Sequence, residues 1–176
     1  MIVVVADTSP LNYLIQIDCH ELLPALYGRV LIPVAVFQEL QHAGTPAAVF
    51  NWARQLPPWI QVREVSFSPD STLDGLGPGE REAIQLAESE NADLLLMDER
   101  LGVRLAQQHG LAVTGTLGIL VQAAARCLVD MDEAIRRLQG TTFRCTLEMY
   151  ERARRRVREE TASHARTSAG KRDRSP

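Results

Sequence analysis

Val5-Ala6-Asp7-Thr8-Ser9-Pro10-Leu11 is the stretch on which the reading of this chain turns, because an apolar run stops there at a carboxylate and a helix begins. Ile2, Val3, Val4 and Val5 are all β-branched, as suits a short strand buried on both faces. Ser9 offers an N-cap oxygen, and Pro10 suits the first helical position, where a pre-set φ helps and a missing N–H costs nothing. Asp7 is therefore expected at the carboxyl end of a strand, the edge at which open parallel sheets bind ligands.

Working outward, strand and helix signals alternate. The first helix continues through Ile17, a second runs from His20 to Tyr27 with Gly28 as its stop, and Val30–Ile32 is a short strand. Pro33 opens a helix through Gln41, and Thr45-Pro46 opens another that Pro57-Pro58 cannot continue. Trp59–Val65 alternates and reads as a strand exposed on one side. Residues 66–78 read as a loop, residues 80–90 as an amphipathic helix, and Leu94–Met97 as a buried strand ending at Asp98. Leu101–His109 is helical, Leu111–Val113 is a strand leading to Thr114-Gly115-Thr116, and helices follow over 117–127, 131–138 and 147–160. Strands separated by helices imply crossover connections and a central parallel sheet. The predicted fold class is α/β, a three-layer α/β/α sandwich, with a domain over 1–145, a basic helix over 146–162 and a disordered tail over 163–176.

Composition narrows the function classes. The chain has 176 residues, 45% apolar and 23% charged, as expected of a soluble globular domain. No apolar stretch reaches the eighteen or so residues of a membrane span and no basic leader precedes the first strand, so a cytoplasmic protein without a membrane partner is expected. Cys19, Cys127 and Cys145 are three, far apart, and His20, His42, His109 and His164 are equally scattered, which argues against a disulfide framework or a zinc site. The net charge of −3 conceals nine basic and four acidic residues in 151–176, leaving −8 on the body. An acidic body with a basic tail points to nucleic acid or an acidic protein surface as partner.

The chemistry gathers at the strand ends. Strands ending at Asp7, Asp98 and Thr114 share one edge if parallel. Glu80 precedes Ala83, Ile84 and Ala87 at core-facing spacing, and Val36, Glu39, Leu40 and Ala43 follow the same 0, +3, +4, +7 pattern. Carboxylates on core-facing stripes are costly unless paired or bound to a cation, so Asp7, Glu39, Glu80 and Asp98 suggest one acidic cluster whose hard oxygens suit Mg²⁺ or Mn²⁺. Each also has a plainer reading: Asp7 and Asp98 as helix caps, Glu80 as compensation of a helix dipole, Glu39 turned to solvent. Their joint placement favours the cluster.

Four blocks carry a resemblance. Ala6-Asp7-Thr8-Ser9, Pro33-Val34-Ala35-Val36-Phe37-Gln38-Glu39-Leu40, Gly79-Glu80-Arg81-Glu82-Ala83-Ile84-Gln85-Leu86-Ala87 and Leu95-Leu96-Met97-Asp98 resemble the acidic blocks of PIN domains. The eighteen positions from Glu80 to Asp98 resemble the spacing of members related to VapC-type toxins, and Leu111–Leu120 looks like an uncharacterised branch of that superfamily. The resemblance implies a metal-dependent endoribonuclease, often the toxin of a type II toxin–antitoxin pair, with an RNA substrate, a cognate antitoxin and a homodimer as partners. It implies that Asp7, Glu39, Glu80 and Asp98 hold one or two Mg²⁺ or Mn²⁺ ions. Ser9, Thr114 and Thr116 take secondary places, with Ser9 chiefly a cap, and Glu82 and Glu99 are spare carboxylates. The chain departs from the pattern at Glu80, where many such toxins have Asp, and the extra methylene shifts the carboxylate by about one C–C bond length.

Competing readings are few. A catalytically weak or inactive module that keeps the fold and binds nucleic acid or protein is the alternative. A phosphatase of the haloacid-dehalogenase kind needs a second Asp two residues after the first, and Ser9 stands there. Glycines 75, 77 and 79 follow a loop and not a strand, so a dinucleotide site lacks its context. Arg152, Arg154, Arg155, Arg156 and Arg158 are expected either to sit on a solvated helix or to contact RNA phosphates. The apolar helix with Leu120, Val121 and Ala124 is either core or a dimer surface.

Overall fold

A computed structural model of the chain describes residues 2–66 and 70–172, with side chains as far as residue 162. Five strands, β1 (Val4–Ala6), β2 (Val30–Pro33), β3 (Ile60–Arg63), β4 (Leu94–Leu96) and β5 (Val113–Thr114), form one sheet in the order β3-β2-β1-β4-β5. Every neighbouring pair is parallel, with Val5 opposite Leu31, Ala6 opposite Leu96, and Leu96 opposite Thr114. The expected α/β class and parallel sheet are what the chain adopts.

The chain divides into two compact units, residues 1–116 and 117–176. In the first, α1 (Thr8–Gln16), α2 (Leu22–Tyr27), α3 (Val34–Leu40) and α4 (Ala47–Ala53) connect β1, β2 and β3, which advance in one direction across the sheet. The chain then returns through α5 (Pro78–Ser89) to β4 and advances the other way through α6 (Arg100–Gln108) to β5. Right-handed crossovers put helices of opposite travel on opposite faces, which gives three layers. On the α5/α6 face, Val5, Leu31 and Leu95 pack with Ala83, Ile84, Leu86, Ala87 and Ala106 in one buried cluster. The direction changes between β1 and β4, so the crevice at a topological switch point lies beyond Ala6 and Leu96. In the second unit, α7 (residues 117–125 of the helix Thr116–Ala125), α8 (Met131–Gln139) and α9 (Leu147–Arg172) bury Ile119, Leu120, Val121, Met131, Ile135, Leu138 and Tyr150. Arg154 Nε of α9 holds Asp132 of α8 at 2.6 Å. Leu120 and Val121 are thus core, and Ala124 is half-buried.

Several boundaries differ from the expectation for local reasons. Helix α1 begins at Thr8, with Asp7 extended at the N-cap position (φ −80°, ψ 169°), so Ser9 and Pro10 fall inside the first turn and Ser9 is not the cap. Pro33 ends β2 and α3 starts after it; α3 stops at Leu40, which leaves Ala43 exposed and off the predicted stripe. Of the loop expected over 66–78, residues 67–69 lie outside the described residues; Asp70 caps a 3₁₀ turn at Ser71–Leu73, and α5 already begins at Pro78. The tail expected to be disordered from residue 163 is helical to Arg172. Ala162, Ala165 and Ala169 favour helix, and no proline interrupts it before residue 176. Residues 173–176 of that expectation lie outside the described residues. Among the described residues no helix is long and apolar enough to cross a membrane.

Candidate metal centre

Asp7 leaves β1 with its N–H donating to the Leu96 carbonyl at 2.9 Å, a bond that extends the β1–β4 ladder by one residue and carries the carboxylate to the sheet edge. The residue is only 2% exposed. Its Oδ1 is buried without a hydrogen-bond partner, and its side chain does not cap α1. Burial pushes its pKa up to about 7, and the charges of Glu80 and Glu39 push the same way against the N–H groups of Thr8 and Ser9.

Glu39 is held from two sides. Thr8 Oγ1 donates to its Oε2, and the Gly79 N–H at the start of α5 donates to its Oε1 at 2.9 Å. A β-carbon on residue 79 would stand 2.5 Å from Glu39 Oε2, so glycine is what lets the carboxylate reach the helix end. Glu80 takes the N3 position of α5 and accepts from the Gly77 N–H at 2.8 Å. This is half of a capping box, made from the first turn of α5. It also lies within the acidic field: burial raises its pKa, and the Glu99 and Glu39 charges add to that.

Asp98 follows β4 and is clasped by Thr116, whose N–H donates to Oδ1 at 2.8 Å and whose hydroxyl donates to Oδ2 at 2.6 Å. Burial raises the Asp98 pKa and both Thr116 bonds lower it. Asp98 thus serves the first residue of the helix Thr116–Ala125. The N-cap of α6 is Glu99, whose side chain accepts from Leu101. A β-carbon at Gly115 would collide with Asp98 Oδ1, so this clasp also depends on a glycine.

The predicted residues therefore fall into two groups. Asp7, Glu39 and Glu80 share one electrostatic field, to which Glu99 contributes, while Asp98 sits on the adjacent strand exit with Thr116. Thr116 is fully buried and spends its donors on Asp98, so it orients that carboxylate and offers no hydroxyl to solvent. Thr114 ends β5, and its carbonyl accepts from the Met97 N–H at 2.9 Å. Ser9 is half-buried in the first turn of α1. Glu82 is structural: its Oε2 accepts from the Ala35 N–H at 3.0 Å and so caps α3 from another helix. Of the five arginines expected to face solvent or RNA, Arg152, Arg154 and Arg156 are engaged by Glu148, by Asp132 and Glu151, and by Glu160. Arg155 and Arg158 are exposed without an ion pair among the described residues. Sequence reading missed Thr8, Gly79 and Gly115, whose only signals were their positions beside Asp7, Glu80 and Thr116.

Does this constellation suit a divalent cation? The donors are hard oxygens, one buried oxygen is orphaned, and no Lys or Arg pairs with Asp7, Glu39, Glu80 or Asp98 among the described residues. Like charges brought together without a cation are what Mg²⁺ or Mn²⁺ neutralises. Against that, the oxygens of Glu39, Glu80 and Asp98 are engaged by backbone and hydroxyl donors, and no set of three His, Cys, Asp or Glu side chains among the described residues is grouped closely enough to hold an ion. The chemistry of the donor set fits the ion, and binding it requires side chains to turn from their present partners.

A family model described as a PIN domain matches residues 3–159. No curated protein and no solved structure matches the chain.

Proposed function

The chain belongs to the PIN-domain family, a nuclease-type fold, and on that premise we propose that it is a metal-dependent endoribonuclease that hydrolyses RNA phosphodiester bonds in the cytoplasm. The observation that carries the reading is Asp7: a buried carboxylate with an orphaned oxygen, at the sheet's switch point, among like charges. Asp7, Glu39, Glu80 and Asp98 would hold Mg²⁺ or Mn²⁺. When bound, the ion acidifies a water molecule and offsets the charge that builds on the phosphate.

The chain's own residues supply position. Asp7 is fixed by the ladder bond to Leu96, Glu39 by Thr8 and Gly79, Glu80 by Gly77, and Asp98 by Thr116. The start of α5 thus holds both Glu39 and Glu80, while β4 holds the Asp7 backbone and Thr116 holds Asp98, and a divalent ion would draw the carboxylates together. Exposed Arg155 and Arg158 give the RNA backbone a basic contact. The role as toxin of a type II pair, with a cognate antitoxin and a homodimer, rests on the resemblance to VapC-type toxins alone. An antitoxin-like reading frame immediately upstream is its test.

A second reading is favoured by one observation, the absence of a grouped set of three ligands among the described residues: a PIN-fold module that binds nucleic acid or protein without cutting it. Mn²⁺ binding and RNA cleavage by wild type, Asp7→Asn and Asp98→Asn decide between them. Metal-dependent cleavage by wild type alone supports the nuclease. Equal cleavage by all three, or none by any, sinks it, and RNA binding without Mn²⁺ binding establishes the module.

A further inference from the structure

Beside Glu39 lies an open, solvent-facing depression of about 500 Å³, lined by Ala35, Gln38, Glu39, His42, Thr45 and Pro78. This size is in the range of small-molecule sites, roughly 300–1,000 Å³. We propose that it takes a nucleobase of the RNA strand next to the scissile phosphate, with Gln38 and His42 reading the base edge; the proposal rests on the nuclease reading above.

Three observations carry it. First, the rim is built before any ligand arrives. His42 N–H and Thr45 Oγ1 both donate to the Glu39 carbonyl, at 3.1 and 3.0 Å, and the Thr45 N–H donates to the His42 carbonyl at 2.9 Å. Second, the imidazole is oriented. His42 Nδ1 accepts from the Gly44 N–H at 3.1 Å, so in the neutral ring the proton resides on Nε2, which has no partner among the described residues and is a donor for a base oxygen or ring nitrogen. Third, the exposed Gln38 amide makes no side-chain hydrogen bond among the described residues and offers a donor and an acceptor together, the pairing that reads base edges. Ala35 and Pro78 supply apolar walls for a flat ring. Because Glu39 lines the cavity and also faces Gly79 and Thr8, a base seated here lies on a strand whose phosphate reaches the acidic centre.

The test is equilibrium binding of short A, C, G and U homopolymer RNAs in EDTA, by fluorescence anisotropy, to wild type, Gln38→Ala and His42→Ala, with melting curves for each. Wild type is expected to prefer one base, and each variant to weaken that preferred RNA about tenfold and flatten the discrimination with an unchanged melt. Equal binding of all four by wild type, or a preference that survives in both variants, overturns the proposal. A preference shown with free 5′-mononucleotides but absent with RNA also overturns it, and marks a free-nucleotide site. Base preference in a wild type that cleaves nothing leaves the pocket standing while the nuclease reading fails.

Discussion

Gly79 and Glu39, forty positions apart in the chain, meet at the start of α5: the glycine N–H donates to Glu39 Oε1 at 2.9 Å, and any β-carbon at residue 79 would come within 2.6 Å of both carboxylate oxygens. Gly79→Ala must therefore displace the Glu39 carboxylate. The expected outcome is loss of metal-dependent cleavage on the order of a hundredfold, as for misplacements of about 1 Å in positioned sites, with a cooperative melt retained. Full activity in Gly79→Ala would show that Glu39 has no part in the chemistry.

Asp7 predicts an unusual pH dependence. Its pKa rises from 3.8 unfolded to about 7 folded, so between those values the native state holds more protons than the unfolded one. Stability then falls as pH rises through this window, by an amount on the order of 4 kcal/mol when complete. In EDTA, Asp7→Asn is expected to melt above wild type at pH 8, with the gap closing towards pH 4. A gap independent of pH, measured by circular dichroism, would contradict the assignment. Saturating Mn²⁺ should stabilise wild type at pH 8 and leave Asp7→Asn unmoved.

Glu82 and Glu39 sit on facing helices and look alike in sequence, yet their roles separate. Glu82 caps α3 through the Ala35 N–H. Glu82→Ala should lower stability by about 1 kcal/mol, the usual cost of a lost cap, and leave Mn²⁺ affinity intact. Urea denaturation and Mn²⁺ titration on the same sample check both halves; a lost metal site with unchanged stability would reverse the two assignments.

On α9, Arg155 and Arg158 carry no ion pair among the described residues, whereas Arg152, Arg154 and Arg156 do. Replacing both free arginines with alanine is expected to reduce the slope of log K against log salt for single-stranded RNA by about 1 to 1.5. Deleting the helix from residue 151 is a poorer test, because it removes buried Ala153 and the Arg154–Asp132 pair. An unchanged slope would remove α9 from the RNA interface.

Much of the architecture was legible along the chain because its determinants are local. Runs such as Val3-Val4-Val5 and Leu94-Leu95-Leu96 can be buried on both faces only in a parallel sheet, and Gly28 and Gly110 adopt the positive φ (+77° and +79°) that stops a helix. Asp7 and Asp98 were visible for the same reason, as carboxylates at the ends of such runs. The first turn of α1 was not: Ser9-Pro10 reads as a cap and N1, but the ladder bond from Asp7 to Leu96 holds Asp7 extended, and the helix starts at once after it. Local preference lost there to a bond with a strand 89 positions away.

The partners of the carboxylates were decided by tertiary structure. Sequence alone determined the chemical types at the sheet edge, an acidic set on strand ends and helix starts, because residue type and period are properties of the chain itself. Which oxygen each donor takes depends on approach between segments far apart: Thr8 and Gly79 on Glu39, Thr116 on Asp98, Ala35 on Glu82. Glycine at 79 and 115 has no signature of its own, since what it supplies is the absence of a β-carbon where another segment's carboxylate arrives. That requirement exists only once the fold has brought the two segments together.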